Sequence, residues 1–158
     1  MPRVSKLPKR LQPMLATLTD APFDDPDWVF ETKWDGFRMV ACLERGKVTL
    51  YSRNGKIISD SYRSVAQALE RLKVDAVLDG ELVALDRRGI SHFQLLQNAL
   101  RAEANLRYVI FDLMFLERED LRDLTLLERK ERLRRLLPKH PLLAVSYTHL
   151  TLPTILRV

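Results

Sequence analysis

Charged residues set inside apolar strand patterns constrain this chain more than any other feature. The run AVLDGELVALD, residues 76–86, alternates as a strand does, yet Asp79 and Glu81 fall on one face between Val77 and Val83. Side chains two apart in a strand share a face, and carboxylates are costly to bury without partners. The run LRYVIFDLMFLE, residues 106–117, repeats the anomaly with Asp112 in an apolar stretch beside Phe111. A third run, WVFETK at 28–33, sends Val29, Glu31 and Lys33 one way and Trp28, Phe30 and Thr32 the other. Neighbouring strands that each interrupt an apolar pattern with charge point to a polar cleft on a sheet.

Other readings of these residues stay open at this level. Glu31 and Lys33 also fit an exposed ion pair worth little. Asp79–Gly80 also fits a bulge or turn. Phe111 also fits the core, and Arg53, just before Asn54–Gly55, a solvated turn. The pattern by itself supports an α+β domain with an anion-binding cleft.

The rest of the chain supplies the frame. FRMVACLE and KVTLYSR read as strands joined by a hairpin turn at ERGK, and NGK at 54–56 marks a further turn. SYRSVAQALERL, 61–72, carries apolar residues at helical spacing. SHFQLLQNALRAE, 91–103, reads as a helix with Ser91 as its N-cap. DLTLLERKERLRRLL is an amphipathic helix ended by Pro138. The predicted order is β-β-β-α-β-α-β-α, and its early hairpins argue for an antiparallel sheet with packed helices. Residues 1–27, with Pro2, Pro8, Pro13, Pro22 and Pro26, read as an extended arm. Its PMLATL segment is expected to lay apolar side chains on a neighbouring surface. The domain is expected to occupy 28–144.

Composition narrows the function classes. A chain of 158 residues with 46% hydrophobic content can close one core. No apolar run approaches the roughly 18–20 residues that cross a bilayer, and no signal-peptide pattern follows the basic N-terminus. The single cysteine, Cys42, excludes an internal disulfide and a cysteine-rich zinc site, and fits a reducing cytoplasm. A net charge of +5 and a pI near 9.6 favour a polyanionic partner.

The motifs, in order, carry a resemblance. KWDGFR fits the K-x-D-G-x-R signature of covalent nucleotidyltransferases; SRNG, DGELVALD and YVIFDLMFL follow it. Together they resemble motifs I, Ia, III and IIIa of ATP-dependent DNA ligases. The flanks PMLATLTDAPFDDPDWVFETKWDGFR, HFQLLQNAL and LLERKERL resemble the ligase module of bacterial ligase D-type end-joining enzymes, over residues 10–144. The resemblance implies an incomplete nucleotidyltransferase fold, ATP-grasp-like, and a reaction in which Lys33 attacks the α-phosphorus of ATP to form lysyl-AMP. It implies that Glu81 accepts from the ribose hydroxyl, Phe111 stacks on adenine, and Glu31 meets the adenine edge. Arg38 and Arg53 would contact phosphate and the nicked strand, a task suited to a planar, permanently charged guanidinium. Asp35 and Gly36 would shape the turn after Lys33. Magnesium would neutralise charge developing on the phosphates. Partners would be nicked or broken double-stranded DNA and a Ku-like protein, with the enzyme a monomer and no membrane involved. An RNA ligase or capping enzyme shares K-x-D-G, and a non-catalytic nucleic-acid-binding module shares the basic surface.

The chain also departs from that family. Nothing after Phe115 matches motif IV or motif V, which supply a metal-binding carboxylate and phosphate-binding lysines. VSYTHLTLPT, residues 145–154, resembles the translation of a sequencing adapter, so residues 145–158 are expected to be a non-native tail. A fragment ending near Ala144 is expected to be poorly stable and weak or inactive in self-adenylylation.

Overall fold

The structure is a computed structural model that describes residues 7, 13–99, 105–146 and 148–149. Its elements run β1 (Phe30–Glu31), β2 (Phe37–Glu44), β3 (Lys47–Ser52), a short 3-10 turn (Ser59–Tyr62) and α1 (Arg63–Glu70). Then come β4 (Ala76–Leu85), α2 (Phe93–Ala99), β5 (Asn105–Leu116), β6 (Glu119–Asp120), α3 (Leu126–Leu136), β7 (Leu143–Val145) and β8 (Thr148–His149).

Five strands form the order β3-β2-β4-β5-β6, every pair antiparallel. The short β7 joins parallel to β5, and a separate ribbon pairs β1 with β8. The predicted α+β class with an antiparallel sheet and packed helices is what the chain forms. The predicted hairpin at ERGK closes β2 onto β3, with Arg45 and Gly46 both at positive φ as a tight turn requires.

The sheet has two different faces because alternation divides its residues. One face sends Met39, Ala41, Leu50, Leu78, Leu82, Tyr108 and Ile110 into the main core, where Val65 and Leu69 of α1, Leu96 of α2 and Leu133 of α3 cover them. Fully burying each such large side chain contributes roughly 1.5–3 kcal/mol. The other face carries a small cluster of Val40, Val77 and Phe115 at one end and the polar residues of β2 and β4 at the other. The helix α3 starts cleanly because Thr125 and Glu128 form a capping box, each accepting the other's backbone N–H.

Several expectations need correction. The strand expected over WVFETK is only Phe30–Glu31, so Lys33 lies beyond it in a loop. Ser91 does not cap α2: the first helical bonds run from Leu95 and Leu96 N–H to the His92 carbonyl. The end of that predicted helix, residues 100–103, lies outside the described residues. Strands β6, β7 and β8 were not predicted, since two or three residues carry no periodic signal. The PMLATL segment does not bury its side chains, with Met14 and Leu18 87% and 97% exposed. Within the segment expected to be a non-native tail, 145–158, which the fold neither supports nor overturns, Val145 ends β7, the Ser146 N–H donates to the Ile110 carbonyl, and Thr148–His149 pairs with β1; the remainder lies outside the described residues.

Candidate active site

The register of β2 against β4 builds the site. Arg38 lies opposite Glu81, Met39 opposite Gly80, and Val40 opposite Asp79. Arg38 therefore shares a face with both carboxylates and takes the diagonal one: its Nε donates to Asp79 Oδ1 at 2.6 Å and its Nη2 to Oδ2 at 2.7 Å. Asp79 is buried, and this two-pronged bond is how an apolar strand tolerates it. The guanidinium also lies 4.7 Å from the centroid of the Phe111 ring, a cation–π distance.

Phe111 reaches that position through a bulge. Asp79 pairs with Asp112 while Gly80 pairs with Ile110, so Phe111 is the extra residue. The bulge reading of Asp79–Gly80 is thus correct. Gly80 is required there, because a Cβ would sit 2.5 Å from the Val109 carbonyl oxygen and 2.7 Å from the Tyr108 ring. Gly36 is required for a similar reason, its hypothetical Cβ falling 2.3 Å from the Leu82 carbonyl oxygen. The close approach at Gly36 is to β4.

All six residues singled out from the sequence line one cavity of about 630 Å3: Glu31, Lys33, Arg38, Arg53, Glu81 and Phe111. Thr32, Trp34 and the arm residues Pro13–Ala16 complete its wall. An adjoining cavity of about 470 Å3 shares Arg38, Arg53 and Glu81 and adds Asn54 and Lys56. Burial pushes the Glu81 carboxyl above its ordinary range, against the pull of Arg38 and Lys33. Burial also raises Asp79, and the Arg38 fork opposes it.

The loop bearing Lys33 is fastened from outside its own sequence. The Asp35 N–H donates to Ser91 Oγ at 3.0 Å, and Asp35 Oδ2 accepts the Phe93 N–H at the start of α2, also at 3.0 Å. Trp34 Nε1 donates to Ser146 Oγ at 3.2 Å. On the opposite side, α3 presents two consecutive cations. Arg129 forks onto Asp112, next to Phe111, at 2.7 and 3.1 Å, and Lys130 donates to Glu31. Lys130 was not anticipated, although a signal existed. It falls on the stripe Leu126, Lys130, Leu133, Leu137, where an apolar residue is expected.

The volume is that of a small-molecule site, and the lining suits a nucleotide: cations for phosphates, a ring for a base, carboxylates for hydroxyl and amino groups. Among the described residues no group of three or more His, Cys, Asp or Glu converges to hold a metal ion. Nor is any helix among them long and apolar enough to cross a membrane.

An antiparallel sheet with a lysine-bearing loop over a nucleotide-sized cavity defines a nucleotidyltransferase-type domain. The chain belongs to the ATP dependent DNA ligase domain family, whose model matches residues 13–152. It is 43% identical over 135 residues to the multifunctional non-homologous end joining protein LigD of Pseudomonas aeruginosa. That match covers 83% of this chain but 16% of the relative's length. Among solved structures it is similar to mycobacterial DNA ligase D complexed with ATP and MES, with a TM-score of 0.71 and 33% identity over 87% of this chain and 46% of that one. The ligase domain of Mycobacterium tuberculosis LigD aligns with a TM-score of 0.64 and 31% identity over 77% and 39% of the respective chains.

Proposed function

We propose that this chain carries the nucleotide-binding half of an ATP-dependent DNA ligase and that Lys33 is its nucleophile. The observation that carries the reading is the convergence of Glu31, Lys33, Arg38, Arg53, Glu81 and Phe111 on one cavity. In the first step the neutral Lys33 amine forms an N–P bond to the α-phosphorus of ATP and gives up one N–H proton to solvent. The bond to the bridging oxygen breaks, and pyrophosphate leaves with the electron pair. Phe111 stacks on adenine, and Arg38, held by Asp79, lies against the Phe111 ring. Glu31 accepts from the base edge and Glu81 from a ribose hydroxyl, while Arg53 faces phosphate. AMP then passes to a DNA 5′-phosphate, and a 3′-hydroxyl displaces it to seal the strand.

Magnesium, when bound, offsets phosphate charge and would ride chiefly on the triphosphate oxygens, as that ion commonly does. The end joining named for the relatives supports broken DNA as the acceptor, and we propose with it a Ku-like partner and action in the cytoplasm. The net charge of +5 agrees with a polyanionic acceptor. We further propose that residues 145–158 are non-native; an uninterrupted genomic frame encoding them would refute this.

Incubation with α-labelled ATP and magnesium, followed by a denaturing gel, tests the assignment. Label is expected on the chain and lost in Lys33→Ala, with nicked DNA rather than RNA as the AMP acceptor. Of the described cations lining the cavity, Arg38 is held by Asp79, which leaves Lys33 and Arg53 facing a triphosphate. Labelling of this chain alone is therefore expected to be slow. Label that survives Lys33→Ala removes the assignment.

A further inference from the structure

Lys130 is out of place in the fold unless it serves the cavity. It is 1% exposed, in the middle of α3, at a position the helix's apolar stripe would give to a leucine. A buried ammonium costs several kcal/mol unless it is paired and hydrogen-bonded. Its carboxylate partner is Glu31, 99 residues earlier, which lines the cavity. The preceding residue, Arg129, grips Asp112 beside Phe111. One turn of α3 thus holds a lining residue on β1, Glu31, and the neighbour of another on β5, Asp112 beside Phe111.

We propose that Lys130 is a positioning residue that sets the base preference of the cavity by fixing the Glu31 carboxylate as an oriented acceptor for a 6-amino purine. This rests on the nucleotide-site reading above and deepens it. An ionised carboxylate only accepts hydrogen bonds and has about four lone-pair sites, so an ammonium does not exhaust it. A 6-amino purine offers N–H donors at its edge, whereas a 6-oxo purine presents an oxygen lone pair to the same carboxylate. A site built to satisfy one hydrogen-bonding pattern rejects the other because a polar group is left unpaired. Without Lys130, Glu31 loses a contact that helps to orient it.

The test is direct binding of ATP and ITP to the full chain by titration calorimetry, with Lys33→Ala as background so that no covalent product forms. That background is expected to bind ATP more tightly than ITP. Lys130→Met is expected to lower the ATP/ITP affinity ratio by about tenfold, the worth of one hydrogen bond to a charged group, while ITP affinity stays nearly constant. Lys130→Arg, which keeps the cation, is expected to restore most of the ratio. An unchanged ratio in Lys130→Met overturns the proposal, as does an equal loss of both nucleotides, which marks a merely structural role. If circular dichroism shows Lys130→Met unfolded, Lys130→Leu, which also removes the donor to Glu31 and suits the apolar stripe of α3, takes its place with the same deciding outcomes. A background chain that binds neither nucleotide overturns the site reading itself, and is distinguished because it fails before any change at Lys130.

Discussion

Asp79 holds both prongs of the Arg38 guanidinium on the site face of the sheet, with side-chain exposures of 6% and 26%. The pair links β2 to β4 and keeps the guanidinium over the Phe111 ring. Removing one member leaves the other partly buried without its counter-charge, which costs more than an exposed pair would. Asp79→Ala is expected to destabilise the chain by about 3 kcal/mol. By the usual scaling this lowers Tm by roughly 10 °C. A melt within about 2 °C of the wild type would show that the pair is not a structural tie.

Glu81 sets function against stability. Its folded-state pKa lies above the ordinary value because burial disfavours the charge. A carboxyl shifted in this direction contributes stability below its unfolded pKa, and that contribution is lost as pH rises through its folded pKa. Glu81→Gln is therefore expected to melt at nearly the wild-type temperature at pH 4 and above it at pH 7. The same change should weaken nucleotide binding at pH 7, because the amide is a poorer acceptor for a ribose hydroxyl. Melting curves of both proteins across this range decide the point. A variant less stable than the wild type at pH 7 would reverse the assigned cost.

Local signals made much of this molecule legible. The strands β2 to β5 follow from alternation, and α3 from an amphipathic run closed by Pro138. The six cavity residues were found because motif order places each on a strand or its adjoining loop, and the sheet register brings them together. What stayed hidden is long-range. Asp35 meets Ser91 and Phe93 across 56 and 58 positions, and Lys130 meets Glu31 across 99. Such pairings depend on the packing of α2 and α3, which no short window contains. Arg38 shows the same limit: nothing in its motif announces the carboxylate that holds it, Asp79, 41 residues away.

The two D-G glycines are expected to be irreplaceable for steric reasons. At Gly80 and Gly36 an added methyl meets backbone oxygen of β5 and of β4 at 2.5 and 2.3 Å, and neither of those strands can retreat without breaking its ladder. Gly80→Ala and Gly36→Ala should each cost about 3 kcal/mol or more, at the upper end of overpacking. Gly46 has open space around it and only its positive φ to lose, so Gly46→Ala should cost about 1 kcal/mol. Soluble yield and urea midpoints of the three variants test the ranking; equal costs would contradict it.

Asp35 is expected to separate stability from reactivity. Its carboxylate accepts the Phe93 N–H and its own N–H donates to Ser91, so it ties the Lys33 loop to the start of α2. Both contacts are exposed, and losing an acceptor at a helix start typically costs about 1 kcal/mol. The effect on chemistry should be larger, because a nucleophile displaced by about 1 Å can lose a hundredfold in rate. Asp35→Ala is thus expected to lower Tm by only a few degrees, roughly 2–4 °C, while slowing Lys33 labelling at least tenfold, on the order set by such misplacement. Asp35→Asn keeps an oxygen for the Phe93 N–H and should recover most of both losses. Ser91→Ala removes the other half of the tie and should fall between them. Single-turnover labelling on matched, folded samples gives the comparison. If Asp35→Ala labels at the wild-type rate, the tie to α2 does not position the nucleophile.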